Sequence, residues 1–420
     1  MTFDLVFRNA RIARQEERIV DIGVRNGRFE AIEAHLPPGT GPEEVCGGAL
    51  VLPGFVETHL HLDKSCILGR CRCREGTLSE AVSLVAQAKR DFTEDDVYER
   101  ARGTLEMAIL HGTTLIRSHV EVDPRIGLTG LHALKRLKRD YAWAIEIEIC
   151  CFPQEGLLDD PGCDAVLVAA LEQGADLIGG APYIDRDAHG QIARIFGLAR
   201  SYDLDIDLHL DFSLDATTLD AEEVCRQTDI HRWGGRVAIG HASKLSMLEP
   251  ARFATIARRL AEAGVAVTVL PATDLYLMGR DRDHAVPRGV APAHRLIQAG
   301  VNCSLATNNV LNPFTPFGDG SALRMANLYA NVAQRGTPEG LAECFDMTTS
   351  RAAALMRRQD YAIAPGCPAD LVMLDSRSRA EAVATLAPAL VGYKAGRKVF
   401  ERPRPVLHRP TGGAEAAGGS

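Results

Sequence analysis

The chain has 420 residues, of which 46% are hydrophobic and 24% are charged, a composition typical of soluble globular proteins. Its formal net charge of −8 argues against nucleic-acid binding, which needs a clustered basic surface to neutralise phosphates. The N-terminus lacks a signal-peptide pattern and no long apolar run suggests a membrane span, so we expect a cytoplasmic protein without a membrane partner.

Short strands are predicted at both ends of the chain. Alternating apolar and polar residues in "FDLVFRNARI" and "IVDIGVRNGRFEAIEA" predict strands, and the Asn and Gly residues between them are typical of turns. Strands return after residue 362, in "PADLVMLD" and "PALVGYKAGRKVF". We therefore predict a discontinuous β-sandwich layer built from residues 1–52 and 363–408. The composition of the tail, residues 409–420, predicts disorder.

Eight apolar strand candidates alternate with helical stretches between residues 53 and 362. In chain order they are "LPGFVETHLHLD", "TTLIRSHVEV", "AIEIEICCF", "ADLIGGAPY", "DIDLHLDF", "RVAIGHAS", "VAVTVLPA" and "VNCSLATNN". Because alternating strand–helix units with near-continuous apolar strands predict a parallel sheet, we predict an α/β fold with a (β/α)8 TIM-type barrel. The active site of such a barrel lies at the carboxyl ends of its strands.

Histidines are concentrated at these carboxyl ends. His59 and His61 end the first strand, and residues two apart in a strand face the same way, so both imidazoles can bind one ion. His209 ends the fifth strand and His241 ends the sixth. Packing alone does not explain such a distribution, so the sequence predicts a metal site. His119 ends the second strand and is compatible either with a role at this site or with a structural role.

The order of the motifs resembles the amidohydrolase superfamily, and specifically its cytosine deaminase-like branch. The resembling motifs extend from about residue 50 to 375 and are "LPGFVETHLHLDKS", "SHVEVDP", "CFPQEGLL", "HLDF", "GHASKLS", "LMGR" followed by "PRGVAP", and "APGCPADLVMLD". The resemblance implies one divalent ion, zinc or iron, held by two histidines of the first strand, one of the fifth and an aspartate after the eighth. The corresponding residues here are His59, His61, His209 and Asn308.

The resemblance also implies roles for residues around the ion. His241 would orient the attacking water and stabilise the oxyanion, and Gln154 would bind a substrate carbonyl. Both proton carriers of the family are replaced in this chain. Asn308 stands where an aspartate accepts a proton from the water, and Phe212 stands where a glutamate protonates a ring nitrogen of the substrate.

These two replacements change the expected chemistry. Asn308 can offer a neutral amide oxygen to the ion, so we expect a weaker or differently selective metal site. An amide cannot relay a proton, and one positioned acid–base group contributes roughly 10²–10⁴ in rate, so His241 is the best remaining proton acceptor. Phe212 predicts an apolar or alkyl edge on the substrate at that point. Lys64 and Asn309 are further candidate substrate-binding residues, because they adjoin the predicted ligands in sequence.

We therefore predict a metal-dependent amidohydrolase that cleaves a C–N bond of a small cyclic or amide-like substrate, with altered proton transfer and specificity. Two alternatives stay open on the sequence alone. One is a non-hydrolytic barrel enzyme, a lyase or isomerase, and the other is a catalytically silent ligand-binding homologue. The expected partner is a small-molecule substrate, and barrels of this kind often associate, so a homo-oligomer is compatible with the sequence.

Overall fold

The computed structural model describes residues 2–408, which form two β-sheets and the helices around them. The strands are β1 (Leu5–Ile12), β2 (Val20–Arg25), β3 (Arg28–Glu33), β4 (Glu43–Val45), β5 (Leu50–Leu52), β6 (Phe55–Leu60), β7 (Thr113–Glu121), β8 (Glu146–Phe152), β9 (Leu177–Gly180), β10 (Asp205–Leu210), β11 (Val237–His241), β12 (Val265–Val269), β13 (Cys303–Leu305), β14 (Leu371–Leu374), β15 (Ala389–Lys394) and β16 (Arg397–Glu401). The predicted disordered tail, residues 409–420, lies outside the described residues.

Helices connect most of the strands. They are α1 (Leu78–Ala88), α2 (Glu94–Leu110), α3 (Thr129–Asp140), α4 (Cys163–Glu172), α5 (Ala188–Tyr202), α6 (Asp220–His231), α7 (Pro250–Ala263), α8 (Pro271–Leu277), α9 (Ala293–Gln298), α10 (Ala322–Val332), α11 (Pro338–Asp346), α12 (Ser350–Leu355) and α13 (Arg379–Thr385). Within residues 2–408, none of them combines the length and the apolar character that crossing a membrane requires.

Strands β6 to β13 form the barrel sheet, in which each strand is hydrogen-bonded to the next one along the chain. Each pair of neighbouring strands in this sheet is parallel, with helices in the crossovers. All nine residues of β7 are buried, as expected for a parallel strand that is covered on both faces. The predicted α/β fold class with a (β/α)8 barrel is confirmed.

The barrel closes between its first strand and the segment that follows its last strand. Leu60 and Asn308 form a parallel bridge. The backbone N–H of Asn308 donates to the carbonyl oxygen of His59 at 2.8 Å, and the N–H of His61 donates to the carbonyl oxygen of Asn308 at 2.8 Å. Closure of the barrel therefore fixes the Asn308 backbone against the strand end that carries the first two predicted ligands.

The terminal sheet combines strands from both ends of the chain. Its order is β16-β15-β14-β5-β1-β2-β3, and β4 pairs with β1. Strand β14 joins β5 in antiparallel register, with Val372 opposite Leu52. Phe7 and Tyr393 pack edge to face in its core, with ring centroids 4.9 Å apart. The sheet thus unites the two segments assigned to the predicted layer, while the exact domain boundaries at 52 and 363 stay a prediction.

The chain passes from the terminal sheet into the barrel through Gly54, whose φ is +111°. L-residues rarely adopt this conformation because their Cβ atom collides with the backbone. A Cβ atom at this position would also lie 2.2 Å from Oγ1 of Thr114. The carbonyl oxygen of Gly54 accepts a hydrogen bond from the hydroxyl of Tyr361, which holds the junction in place. Conformation and packing therefore both favour glycine here.

Replacing this glycine tests the junction. We expect Gly54→Ala to lower the free energy of unfolding by about 2–4 kcal/mol, because it adds backbone strain to a steric overlap with Thr114. Gly39→Ala is the matched control, since Gly39 also has a positive φ (+73°) but has nothing within 4 Å of an added Cβ. Denaturant titration should show a loss of only about 1 kcal/mol for the control. Equal losses for the two variants would contradict a packing role for Gly54.

Candidate metal-binding active site

Three imidazoles meet at the carboxyl ends of β6 and β10. The Nε2 atom of His209 lies 3.1 Å from Nε2 of His59 and 3.0 Å from Nε2 of His61, and all three side chains are buried. Three nitrogen ligands of one tetrahedral zinc ion would lie about 3.3 Å from one another. The arrangement therefore matches the donor spacing of a shared divalent ion.

The neutral protonation state that burial favours for these imidazoles is also the one that binds a cation. Burial holds the pKa values of His59, His61 and His209 well below the ordinary value for histidine. The charge of Lys64 lowers the pKa of His61 further, and His119 does the same for His59 and His209. An imidazole binds a metal ion through the lone pair of its neutral form. At neutral pH the cluster thus presents unprotonated nitrogen atoms.

Asn308 stands at the edge of this cluster with a φ of +65°, a conformation that asparagine tolerates better than most residues. Its side-chain oxygen is buried and has no hydrogen-bond partner among residues 2–408. A buried polar atom without a partner is costly, so an amide oxygen in this position suits a cation as its partner. Within the described part of the chain, the ligand group formed here contains His59, His61 and His209 and no carboxylate.

The two residues that flank Asn308 have partners elsewhere. Thr307 donates its backbone N–H at 3.0 Å and its hydroxyl at 2.6 Å to the carboxylate of Glu57. Burial raises the pKa of Glu57 to about 7. The side-chain oxygen of Asn309 accepts a hydrogen bond from Nδ2 of Asn312 at 2.6 Å. Glu57 therefore anchors the last barrel strand to the first, and the substrate-binding role of Asn309 stays a prediction.

His241 lies beside the cluster at the end of β11, with its ring centroid 5.7 Å from that of His209. Its Nδ1 atom is 2.6 Å from Oδ1 of Asp274, a residue of α8. An ionised carboxylate only accepts hydrogen bonds, so this contact favours the imidazole tautomer with its proton on Nδ1 and its lone pair on Nε2. On its other side the imidazole stacks on Phe212, with centroids 3.6 Å apart. The carboxylate and the aromatic ring together fix one orientation of His241.

Asp211, the acid of the "HLDF" motif, faces away from the cluster. Its carboxylate accepts hydrogen bonds from the backbone N–H groups of Asp220 and Ala221 at 3.0 and 3.1 Å, at the start of α6. Residues two apart in a strand face the same way, but Asp211 has a φ of +51° and so departs from the strand conformation, which directs its side chain to α6 and away from His209. The residue does not replace the missing acid.

A layer of buried polar side chains supports His59 from behind. His119 stacks on His59 with a centroid distance of 3.7 Å, and its Nε2 atom is 3.5 Å from Oδ1 of Asp207. Arg117 donates to Oδ2 of the same carboxylate at 2.8 Å. His59, His119 and Asp207 also form a compact group of ligand types, but two nearly parallel rings do not direct their lone pairs at one point. The layer therefore orients His59.

Lys64 and Gln154 bound the cluster on another side. The buried ammonium group of Lys64 donates to Oε1 of Glu121 at 2.6 Å and to Oε1 of Gln154 at 3.3 Å, and it lies 4.5 Å from the ring centroid of Phe314. The Nε2 atom of Gln154 is buried without a hydrogen-bond partner in the described residues. This amide nitrogen is a donor that a substrate oxygen can use.

Three supporting residues were not predicted from the sequence. Asp274 follows the seventh barrel strand in "LPATDLY", and its position just past a strand end is the signal that could have indicated it. Asp207 and Glu57 each precede a predicted ligand by two residues, so strand periodicity places them on the same face as that ligand.

Known proteins share both the sequence pattern and the fold. The chain is 28% identical to N-isopropylammelide isopropyl amidohydrolase from Pseudomonas sp. (strain ADP), over 95% of this chain and 98% of that protein. It is also 28% identical to pterin deaminase from Rhizobium rhizogenes, over 92% of this chain and 88% of that protein. The crystal structure of 5-methylcytosine deaminase from Klebsiella pneumoniae superposes with a TM-score of 0.92 at 27% identity, covering 96% of this chain and 99% of that chain.

The family comparison covers the whole barrel and part of the terminal sheet. Residues 50–399 match the sequence model of the Amidohydrolase family. The resemblance expected from the motifs, including the similarity to cytosine deaminase-type enzymes, is confirmed by this match and by the three relatives. The chain belongs to the amidohydrolase family.

Proposed function

We propose that this protein is a metal-dependent amidohydrolase that hydrolyses an exocyclic C–N bond of a small nitrogen heterocycle. The convergence of three neutral imidazoles beside His241 carries the proposal. The names of the relatives support it, because N-isopropylammelide, pterin and 5-methylcytosine are nitrogen rings with an amino or alkylamino substituent. Cytoplasmic location and self-association stay predictions.

His59, His61 and His209 would hold one divalent ion, zinc or iron, with the amide oxygen of Asn308 as a fourth, uncharged ligand. Such an ion lowers the pKa of water and polarises the bond under attack. Because an amide oxygen is a poorer ligand than a carboxylate, we propose that the ion is held less tightly than it would be with aspartate at position 308.

His241 carries the proton transfers in this proposal. With its Nδ1 proton held by Asp274, the Nε2 lone pair accepts a proton from the attacking water. The carboxylate of Asp274 stabilises the imidazolium that forms, and the same Nε2 then protonates the leaving nitrogen. His241 serves in both steps, because neither the amide of Asn308 nor the phenyl ring of Phe212 can carry a proton.

Gln154, Lys64 and Phe212 orient the substrate in this proposal. The ammonium of Lys64 contacts the amide oxygen of Gln154, and the amide nitrogen of Gln154 has no partner in the described residues, so in this proposal the two residues bind oxygen atoms of the ring. Phe212 packs flat on His241 and is almost fully buried, so it presents an aromatic surface next to the proton carrier. An apolar edge or alkyl group of the substrate would contact it.

The function is tested by the release of ammonia or alkylamine from a panel of amino- and alkylamino-substituted pyrimidines, pterins and triazines. We expect turnover of at least one of them by zinc- or iron-loaded protein, and loss of turnover after treatment with a chelator. A metal-loaded protein that binds these rings without hydrolysing them would instead support a catalytically silent homologue.

Replacing a ligand should remove the ion. We expect His61→Asn to lower the metal content of the purified protein from about one ion per chain to almost none, because removing one ligand or its support costs at least about 10-fold to 100-fold in affinity. His284→Asn is the control, because His284 is 91% exposed in a surface loop whereas the three ligands are buried. Elemental analysis measures both variants, and a normal metal content in His61→Asn would contradict the proposed ligand set.

Replacing the carboxylate behind His241 should affect catalysis and spare metal binding. In Asp274→Asn, the amide can donate to Nδ1 and favour the tautomer in which Nε2 carries the proton, so we expect kcat to fall by about 10²–10⁴. The control is Asp281→Asn in an exposed loop. Steady-state kinetics and elemental analysis are measured together. A variant with unchanged kcat and one ion per chain would show that His241 does not act through Asp274.

Restoring the two missing proton carriers tests the relation to the deaminases. We expect the double substitution Asn308→Asp with Phe212→Glu to increase the release of ammonia from cytosine or 5-methylcytosine by at least about 10², since each positioned acid–base group contributes that much. Each single substitution is the comparison and should give a smaller gain. If the folded, metal-loaded double variant shows no gain, the pocket has diverged at further positions.

A further inference from the structure

The donor set at the cluster is uncharged. The Nε2 atoms of His59 and His61 lie 3.1 and 3.0 Å from Nε2 of His209, and an imidazole binds a metal ion through the lone pair of its neutral form. The side-chain amide of Asn308 is uncharged as well. An ion bound by these groups keeps both of its positive charges, whereas an aspartate at position 308 would neutralise one of them. A bound cation is often the largest charge in a site, so this difference dominates the local electrostatics.

Glu57 is buried where the barrel closes, and its carboxylate accepts the backbone N–H and the hydroxyl of Thr307. Two further buried carboxylates lie behind the cluster, and each already has a positively polarised partner. Asp207 accepts from Arg117 at 2.8 Å and lies 4.0 Å from the far nitrogen, Nδ1, of His59. Asp274 binds Nδ1 of His241 at 2.6 Å. An imidazole ring separates each carboxylate from the converging Nε2 atoms, so neither can serve as a ligand of the ion.

The carboxylates near Lys64 also have hydrogen-bonding or ionic partners. Glu121 accepts from Lys64 at 2.6 Å and from Lys89 at 2.9 Å, so its carboxylate lies between two ammonium groups. Asp63 accepts the backbone N–H groups of Lys64 and Glu121 at 2.9 and 2.8 Å. Lys89 also contacts Asp123 at 2.5 Å. These carboxylates are directed at ammonium or backbone groups. Of the charges in this network, the ammonium of Lys64 is therefore the one that lies near His61.

Two aromatic rings also line the cluster. Phe152 stacks on His209 with ring centroids 4.5 Å apart, and Phe212 stacks on His241. A charge enclosed between such rings is weakly screened, because the effective dielectric constant of a protein interior is well below that of water. The positive charge of the ion is therefore felt strongly by any molecule that enters.

We propose that this site takes its substrate as a monoanion, the conjugate base of a ring with an acidic N–H or C–H between two carbonyl groups. The negative charge of the ring replaces the carboxylate charge that Asn308 lacks. The inference rests on the proposed function and deepens it by naming the charge state of the substrate. Lys64 and the Gln154 amide nitrogen bind the oxygen atoms over which this charge is spread.

The same charge could instead be supplied by a small free carboxylate that enters with a neutral substrate. The ring anion and the free carboxylate each offer one anionic oxygen to the ion, so this contact alone does not distinguish them. A ring anion also fills the space between the aromatic walls, whereas acetate does not. We therefore expect the ring anion to bind more tightly than acetate.

The experiment measures affinity by calorimetry on zinc-loaded protein, after elemental analysis has established one ion per chain. The probes are barbiturate, a ring that is a monoanion at neutral pH, uracil, a neutral ring of the same size, and acetate. We expect barbiturate to bind at least tenfold more tightly than uracil and than acetate. In Asn308→Asp this preference for barbiturate over uracil should fall by at least tenfold.

Asn331→Asp is the matched control. It introduces the same charge at an exposed residue of α10, whose side chain contacts Asn327, so the preference for barbiturate should change by less than threefold. Equal binding of uracil and barbiturate, no binding of barbiturate, or an unchanged preference in Asn308→Asp would overturn the inference. Acetate binding as tightly as barbiturate would assign the charge to a free carboxylate and overturn the substrate class. A wild-type protein that binds no metal would instead show that the proposed function has failed.

Discussion

The closure of the barrel at Asn308 is the constraint on which the site depends. Two backbone hydrogen bonds, one to the carbonyl of His59 and one from the N–H of His61, join the end of the eighth barrel strand to the end of the first. The Asn308 backbone is therefore positioned by the architecture and not by the chemistry of its side chain. This explains how an amide can stand at a position where the family resemblance implies a carboxylate: the fold holds the position whichever of the two is present.

Compensation of charge organises the interior around this point. Asp207 with Arg117, Glu121 with Lys64 and Lys89, and Asp274 with His241 are buried sets in which each acid meets a cation or an N–H donor. Burying an isolated charge is expensive, so such pairing is required for stability. The imidazole cluster differs, because its donors are neutral and converge on one point. Because the surrounding buried acids already have partners, the point at which the three imidazoles converge stays available to a cation.

The sequence predicted the fold and the principal histidines because both follow from periodic signals. Alternating apolar strands and helices indicate a barrel, and residues at strand ends share one rim, so His59, His61, His209 and His241 could be placed without coordinates. Contacts made across the barrel carry no such signal. The bond from Asp274 to His241 spans 33 positions in the chain, and the bonds from Thr307 to Glu57 span 250, so only the folded chain reveals them. Likewise the sequence indicated an apolar pocket wall at Phe212, but not that the ring stacks on His241.

The pairing of β5 with β14 has a consequence for how the molecule is made. Strand β5 ends at Leu52, and its partner begins at Leu371, so more than three hundred residues are synthesised before the two can meet. Domains generally fold as units while the chain emerges from the ribosome, N-terminal parts first. Here all the barrel strands are synthesised before β14 to β16, so β5 can pair with β14 only after the barrel strands have been made. The terminal sheet is therefore completed late, after the barrel that carries the site has been translated.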